Sequence, residues 1–245
     1  MDRLIYTSMS GAKYLLERQA TLANNLANAG TTGFRADTVG LRAVPTISPQ
    51  GGTRVFTVET TTGADFSQGP LTPTGRNLDV AVQGEGWLAV QANDGTEAYT
   101  RNGALQVGAD GTLQLPNGLQ VQGTGGPITI PADAQSILIA ADGSISVKAA
   151  SSKSPSTVGQ LKLVNPPAAD MLKGSDGLFR TRSGADAEAD ANVKVVGGTL
   201  EGSNVNVVDA MVGMIAAARQ FEMQMKMLDT AQQNDQKSSS VISGS

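Results

Sequence analysis

Asn206 to Gln236 reads NVVDAMVGMIAAARQFEMQMKMLDTAQQNDQ. It has no proline, and Gly213 is its single glycine, so nothing in it breaks a helix. Asn206 is a good N-cap, and Asp209 stands three residues on, close to a capping box. Met211, Met214, Ala218, Phe221, Met225 and Leu228 alternate by three and four, the a/d spacing of a coiled coil. Val208 and Ile215 widen this stripe, and Gln232 ends it. At 1.5 Å per residue the helix is roughly 46 Å long. The polar tail from Ser238 is expected to fray. A stripe of this kind is not buried by one helix alone, so the fold turns on what covers it.

The other end of the chain supplies a partner. In residues 2–27, Ile5, Met9, Ala12, Leu15, Leu16, Leu22, Ala23 and Leu26 recur at helical steps. The run stops at Asn28-Ala29-Gly30. All ten prolines lie between Pro45 and Pro167, which leaves both ends free to be helical. Between them, about 76–196, short alternating apolar runs predict strands at Leu78–Val82, Trp87–Gln91, Leu105–Val107, Thr112–Leu115, Leu119–Val121, Ile128–Ile130, Ile137–Ile139, Ile145–Val147, Leu161–Val164 and Val193–Val196. Asp94-Gly95, Asp110-Gly111, Asn117-Gly118, Asp142-Gly143 and Asp176-Gly177 separate them, and such pairs suit tight hairpins because both residues tolerate positive φ. Residues 37–75, rich in Thr, Gly and Pro, read as an extended connector. The expected class is α+β: terminal helices paired as a coiled-coil domain (1–36 with 197–245) and an inserted all-β domain (76–196). The ends carry net charges of +2 (1–44) and −2 (197–245), weak support for pairing.

Composition narrows the chemistry. The 245 residues suggest one large or two small domains. Net charge is −4, with no run of five Lys/Arg, so no nucleic-acid partner is expected. His and Cys are absent, which removes disulfides, thiolate or imidazole metal ligands, Cys nucleophiles and His-based triads. No cofactor, metal or small-molecule substrate is expected. No apolar run approaches the ~18 residues of a membrane span, and the start lacks the basic-then-apolar pattern of a secretory signal peptide.

Other motifs read as ordinary structure. Gly84-Glu85-Gly86 and Gly123-Thr124-Gly125-Gly126 open no helix and precede no Gly-Lys-Ser/Thr, so turns or bulges suffice. Ser10-Gly11-Ala12-Lys13 matches Ser-x-x-Lys, but Ser-Asp-Asn and Lys-Thr-Gly are missing. Asp79 with Glu85 is a conceivable glycosidase pair, yet aromatics for sugar stacking are scarce. The Asp-Gly turns lack calcium-loop spacing. The Met stripe stays open between two readings: an ordinary core helix, or an adaptable seam for copies of the chain, since thioethers repack easily. Met223 and Met227 lie off the seam and favour a helix covered on more than one side.

Asn25-Leu26-Ala27-Asn28-Ala29-Gly30-Thr31-Thr32-Gly33-Phe34-Arg35 is a helix end followed by a turn, with Phe34 able to dock on a neighbouring helix. It resembles the signature of flagellar rod and hook proteins, Asn-Leu-Ala-Asn followed by Thr-x-Gly-Phe-Arg/Lys. Further stretches are similar to the proximal-rod members of that family: Met1–Thr7, Leu41–Pro45, Leu78–Ala81, Gly86–Gln91, Tyr99–Gly103, Asp176–Arg180, Leu200–Val205 and Phe221–Lys226. The resemblance implies a non-enzymatic structural subunit of the bacterial flagellar basal body, in the periplasmic rod, transmitting torque through a helical assembly. It implies type III export without a cleavable signal peptide, and terminal helices gathered in an inner coiled-coil layer with the β-domain outside. Expected partners are other rod subunits and copies of the chain. Expected interface residues are Ile5, Met9, Ala12, Leu15, Leu22, Leu26, Met211, Met214, Ala218, Phe221, Met225 and Leu228; Asn25, Asn28, Gly33 and Phe34 shape the turn. The alternatives are a distal-rod or hook subunit and, further off, an enzyme acting on cell-wall glycan.

Overall fold

The structure, a computed structural model, describes residues 2–45, 55–150 and 154–243, with the side chains of 2–7, 41–45, 55–62, 235 and 238–243 outside that description. The chain divides into two units. The first holds the helices α1 (Asp2–Ala27) and α2 (Val207–Ser243) with the strands β1 (Asp37–Pro45) and β2 (Val55–Ala64). The second, the β-unit, comprises 28–36 and 65–205.

In the first unit the helices run antiparallel. Ser8 Oγ lies 3.8 Å from Met227 Sδ. A Cβ placed on Gly11 would stand 3.6 Å from Gln224 Nε2, and one on Gly213 would stand 3.3 Å from Leu22 Cδ1. Asn206 caps α2 as expected, its Oδ1 accepting from the amides of Val208 (3.0 Å) and Asp209 (3.3 Å). The backbone stays helical to Ser243, beyond the polar tail's expected fraying point; no glycine or proline follows Gly213 within α2, and the other residues cost only tenths of a kcal/mol each. β1 and β2 form one long antiparallel hairpin, Leu41 opposite Glu59 and Val44 opposite Phe56. The described part of 37–64 is therefore sheet and not connector. Its Thr and Val residues are strand formers on a pleated surface, so a Thr-rich composition does not by itself mark a loop.

The β-unit contains β3 (Leu71–Pro73), β4 (Val80–Gln83), β5 (Trp87–Gln91), β6 (Glu97–Thr100), β7 (Gln106–Val107), β8 (Leu113–Gln114), β9 (Gln122–Gly123), β10 (Gly126–Pro127), β11 (Ala134–Ile139), β12 (Ser144–Ala149), β13 (Ser156–Gln160), β14 (Leu163–Val164), β15 (Met171–Lys173), β16 (Phe179–Thr181), β17 (Lys194–Gly197) and β18 (Thr199–Glu201). All pairings between these strands are antiparallel. A five-stranded sheet runs β14-β5-β6-β16-β15 and a three-stranded one β11-β12-β13, with two-stranded ladders β17-β4, β18-β3, β7-β8 and β9-β10 around them. Val80, Val82, Leu88, Val90, Leu105, Leu113, Leu115, Ile145 and Leu161 form a fully buried core.

One turn recurs five times. At Ala92–Thr96, Gly108–Thr112, Leu115–Leu119, Ala140–Ser144 and Gly174–Leu178 the glycine amide donates back to the first residue, and the first amide donates forward to the last carbonyl. Only the glycine has positive φ, between +78° and +84°, and no described non-glycine residue does. These are three-residue loops closed by a left-handed glycine, not the turns with two positive-φ residues that Asp-Gly suggested. The Asp or Asn serves otherwise: its Oδ1 accepts the amide two residues on, as Asp110 does from Thr112 (3.1 Å) and Asp142 from Ser144 (3.0 Å).

Candidate functional site

The signature spans two environments. Asn25, in the last turn of α1, is buried. Its Oδ1 accepts from the Asp37 amide (2.7 Å) and its Nδ2 donates to the Asp37 carbonyl (2.9 Å). One side chain thus makes both backbone bonds of a sheet neighbour and ties the end of α1 to the start of β1. Asn28 accepts from Thr31 through its carbonyl (3.1 Å) and its Oδ1 (3.2 Å), closing the turn.

From Asn28 to Ala36 the chain is a strap on the β-unit. Gly33 has φ +69°, a region that costs other L-residues about 1–2 kcal/mol. A Cβ there would also overlap the Arg101–Asn102 backbone, and its amide donates to the Glu201 carbonyl (2.8 Å). Within the β-unit Phe34 meets a cation. Its ring lies under the Lys173 ammonium at 3.9 Å, and Lys173 also donates to the Arg35 carbonyl (2.8 Å).

Arg35 enters the interior with no exposed side chain, and its Nη1 meets Glu201 Oε1 at 2.7 Å. Glu201, equally buried, has a second cation in Arg101 (Oε2 to Nη1, 3.1 Å) and accepts the Gly69 amide (2.9 Å). Arg101 donates onward to the Gly84 carbonyl (2.7 Å). Burial pushes the Arg101 guanidinium below its ordinary pKa, with Glu201 opposing. Both guanidiniums approach the Trp87 ring, Arg35 at 5.9 Å and Arg101 at 5.3 Å, and Trp87 packs against Phe179 with centroids 4.5 Å apart and planes tilted by 43°. Asn204 gathers the ends of the strap and its neighbours. Its Oδ1 accepts the Ala36 amide (2.7 Å), and its Nδ2 donates to the carbonyls of Asp65 (2.9 Å) and Ser67 (3.0 Å). Arg101, Glu201 and Asn204 were not singled out from sequence. The signal was present, because Tyr99–Gly103 and Leu200–Val205 are among the family-like stretches.

The expected interface residues separate by exposure. Ala12 and Leu15 are buried and Leu22, Leu26, Met214, Ala218, Phe221 and Leu228 half-buried, whereas Met9 (64%), Met211 (49%) and Met225 (42%) are exposed. The Ile5 side chain lies outside the described residues. Among the described residues of α2 the most deeply buried are Ala210 and Ala217, so the covered stripe is rotated by one residue from the 211/218/225 line. On the opposite side Val208 (66%), Val212 (61%), Ile215 (55%) and Met223 (61%) form a second apolar line, with the partly exposed Met227 (52%) at the flank, where its sulfur reaches Ser8 of α1.

Among the described residues no group of three or more acidic side chains is placed to hold a metal ion, and no helix is long and apolar enough to cross a membrane. A cleft of about 760 Å³ on the β-unit is lined by Asp170, Arg182, Asp186, Glu188 and Asp190 among small residues, with no aromatic side chain in its lining.

Residues 5–35 match the family model of flagella basal body rod proteins, 81–147 the D1 domain of flagellar hook protein FlgE/F/G, and 196–241 the C-terminal region of flagellar basal body rod FlgEFG proteins. The flagellar basal-body rod protein FlgF of Salmonella typhimurium is 47% identical over 99% of each chain. The chain belongs to the flagellar basal-body rod protein family. It is a structural rod subunit, with FlgF of Escherichia coli 46% identical over 99% of each chain and FlgG of Bacillus subtilis 33% identical over 94% of this chain and 96% of the relative. Arg35 lies at the edge of one terminal match and Glu201 inside the other, so the buried ion pair joins the two ends of this rod subunit's sequence.

Proposed function

We propose that this subunit occupies the proximal rod, within the periplasm, and transmits motor torque through α1–α2 coiled-coil domains packed against sister molecules and other rod subunits. The observation that carries this reading is the two-sided α2. One apolar side is covered by α1, and the opposite side (Val208, Val212, Ile215, Met223) is exposed from the first turn to the middle of the helix. Exposed apolar lines of this length mark interaction surfaces. Charge distribution supports it: the helical unit carries eight Lys/Arg and eight Asp/Glu, the β-unit ten and fourteen. A neutral, apolar helical unit associates without net repulsion. In an open helical shaft each surface meets a different one on the next subunit.

Met225→Asp tests the seam. Met225 is exposed in the single chain, so the variant should fold normally and yet fail to enter rods, leaving cells non-motile; normal swimming would refute the assignment. FlgG relatives at 33% identity support a second placement, further along the axis, and localising a labelled copy in purified basal bodies decides between them. Passage through the flagellar export channel accompanies either placement.

A further inference from the structure

We infer that Asn28–Ala36 is a releasable strap, which opens and re-docks without unfolding the β-unit, and that Arg35 is the group that keeps its docked state shallow. The inference concerns the β-unit alone and does not rest on the rod placement. Four backbone amide bonds and one side-chain bond hold the strap: Gly33 N–H to Glu201 O (2.8 Å), Ala36 N–H to Asn204 Oδ1 (2.7 Å), Asp65 N–H to Ala36 O (2.8 Å), Asn204 N–H to Phe34 O (3.3 Å) and Lys173 Nζ to Arg35 O (2.8 Å). None of its residues belongs to the buried apolar core, which begins at Val80. Opening the strap therefore exposes backbone bonds and one guanidinium, and leaves the core closed.

The charge balance points the same way. Glu201 is complete without Arg35, since Arg101 neutralises it and Gly69 donates to it. Arg35 adds a second cation to one buried carboxylate. Apart from the Glu201 contact, Arg35 Nε, Nη1 and Nη2 have no acceptor in hydrogen-bonding geometry. The other carboxylate felt by Arg101, Glu85, is exposed and screened by water. The Trp87 face offsets part of this surplus. Taking a guanidinium out of water without filling its donors is unfavourable, and undocking the strap relieves that cost at Arg35 while leaving Glu201 paired.

Native-state hydrogen exchange on the full chain tests this. In the wild type the amides of Gly33, Ala36, Asp65 and Asn204 should exchange together, at least tenfold faster than those of β5 and β6. Arg35→Met keeps the stem and removes the charge, and should slow those four amides at least tenfold with β5 and β6 unchanged. Arg35→Lys, which keeps the charge, should not slow them. Glu201→Gln should speed them, by at least tenfold more in the wild type than in the Arg35→Met background. The inference is overturned if the four amides exchange only with the core, if Arg35→Met speeds them, or if Arg35→Met fails to fold.

Discussion

Gly33→Ala is the most informative single change in the signature. Three separate terms oppose it. Alanine at φ +69° costs about 1–2 kcal/mol. Its Cβ has to displace the Arg101–Asn102 backbone, and overpacking of this kind costs roughly 1–3 kcal/mol. Moving the backbone away then gives up the amide bond to Glu201, worth about 1 kcal/mol. The sum is roughly 3 kcal/mol or more against the docked strap, on the order of a hundredfold in its equilibrium. Where that free energy appears depends on whether the strap is separable. A separable strap detaches, so the loss of global stability is capped at the strap's own docking energy, and a protease should cut between Ala27 and Asp37 while β5 and β6 stay protected. An integral strap passes the whole cost to the fold, and the melting temperature drops by about 2–4 °C per kcal/mol for a chain of this size. The assay is limited proteolysis followed by mass spectrometry, with a thermal melt in parallel. A variant with wild-type cleavage and an unchanged melt would refute the geometric account of Gly33.

Asn204→Ala removes one acceptor and two donors at once, leaving the Ala36 amide and the Asp65 and Ser67 carbonyls without that partner; a loss of about 1–3 kcal/mol is expected, read as a lower urea midpoint. The turn carboxylates contribute to the acid sensitivity of the β-unit. Thr96 and Thr112 hydroxyls and amides hold Asp94 and Asp110 below the usual carboxylate value, the Ser144 amide and hydroxyl hold Asp142 there, and the Arg180 guanidinium holds Asp176 there. Carboxyls depressed in the folded state stabilise it above their unfolded pKa near 3.9, and that contribution is lost as pH falls through the lower folded values. The urea midpoint should therefore be flat from pH 7 to about 5 and drop below about 4, and Asp110→Asn, which keeps the acceptor, should reduce the drop at its turn. In the soluble monomer α1 and α2 should exchange much faster than β5 and β6, because most of their facing stripe is only half-buried and the outer line of α2 is exposed; strong protection at both ends would contradict this.

Periodicity carried the helices and many strands. α1 begins and ends where the apolar steps do, and β5 occupies the run read at Trp87–Gln91. What it missed has particular causes. The β1–β2 hairpin is written in threonine, which composition alone assigns to loops and a pleated sheet accepts. The four Asp-Gly pairs and Asn117-Gly118 located all five turns but not their type, because the same pair serves a two-residue turn and a three-residue loop. The strap was placed with the helical domain because it follows α1 directly, whereas its partners, Arg101, Glu201 and Asn204, lie 66 or more positions away from Arg35. No local pattern encodes a contact over that separation.

The rotation of the α2 stripe has a steric explanation. Met214, Phe221 and Leu228 belong to both the expected line and the covered one; the two differ in whether Ala210 and Ala217 or Met211 and Ala218 complete the seam. Apolar residues occupy both, so spacing alone does not choose. Size does. Ala210, Gly213 and Ala217 form a shallow ridge, and the Gly213 Cα side accepts Leu22 so closely that a Cβ would stand 3.3 Å from it. Small residues let two helices approach, and that approach turns the larger Val212, Ile215 and Met223 outward. The small side chains thus face the partner within the chain and the large, deformable ones face outward, as the proposed assembly surface requires. Thioethers tolerate imperfect fit, which suits contacts with several different neighbours better than a rigid knob would. Filling the ridge and emptying the outer line therefore have opposite signatures: Ala217→Leu should force the helices apart and destabilise the monomer, whereas Met223→Ser should leave monomer stability unchanged and weaken association. If both substitutions lowered monomer stability alike, the two sides of α2 would not be doing different jobs.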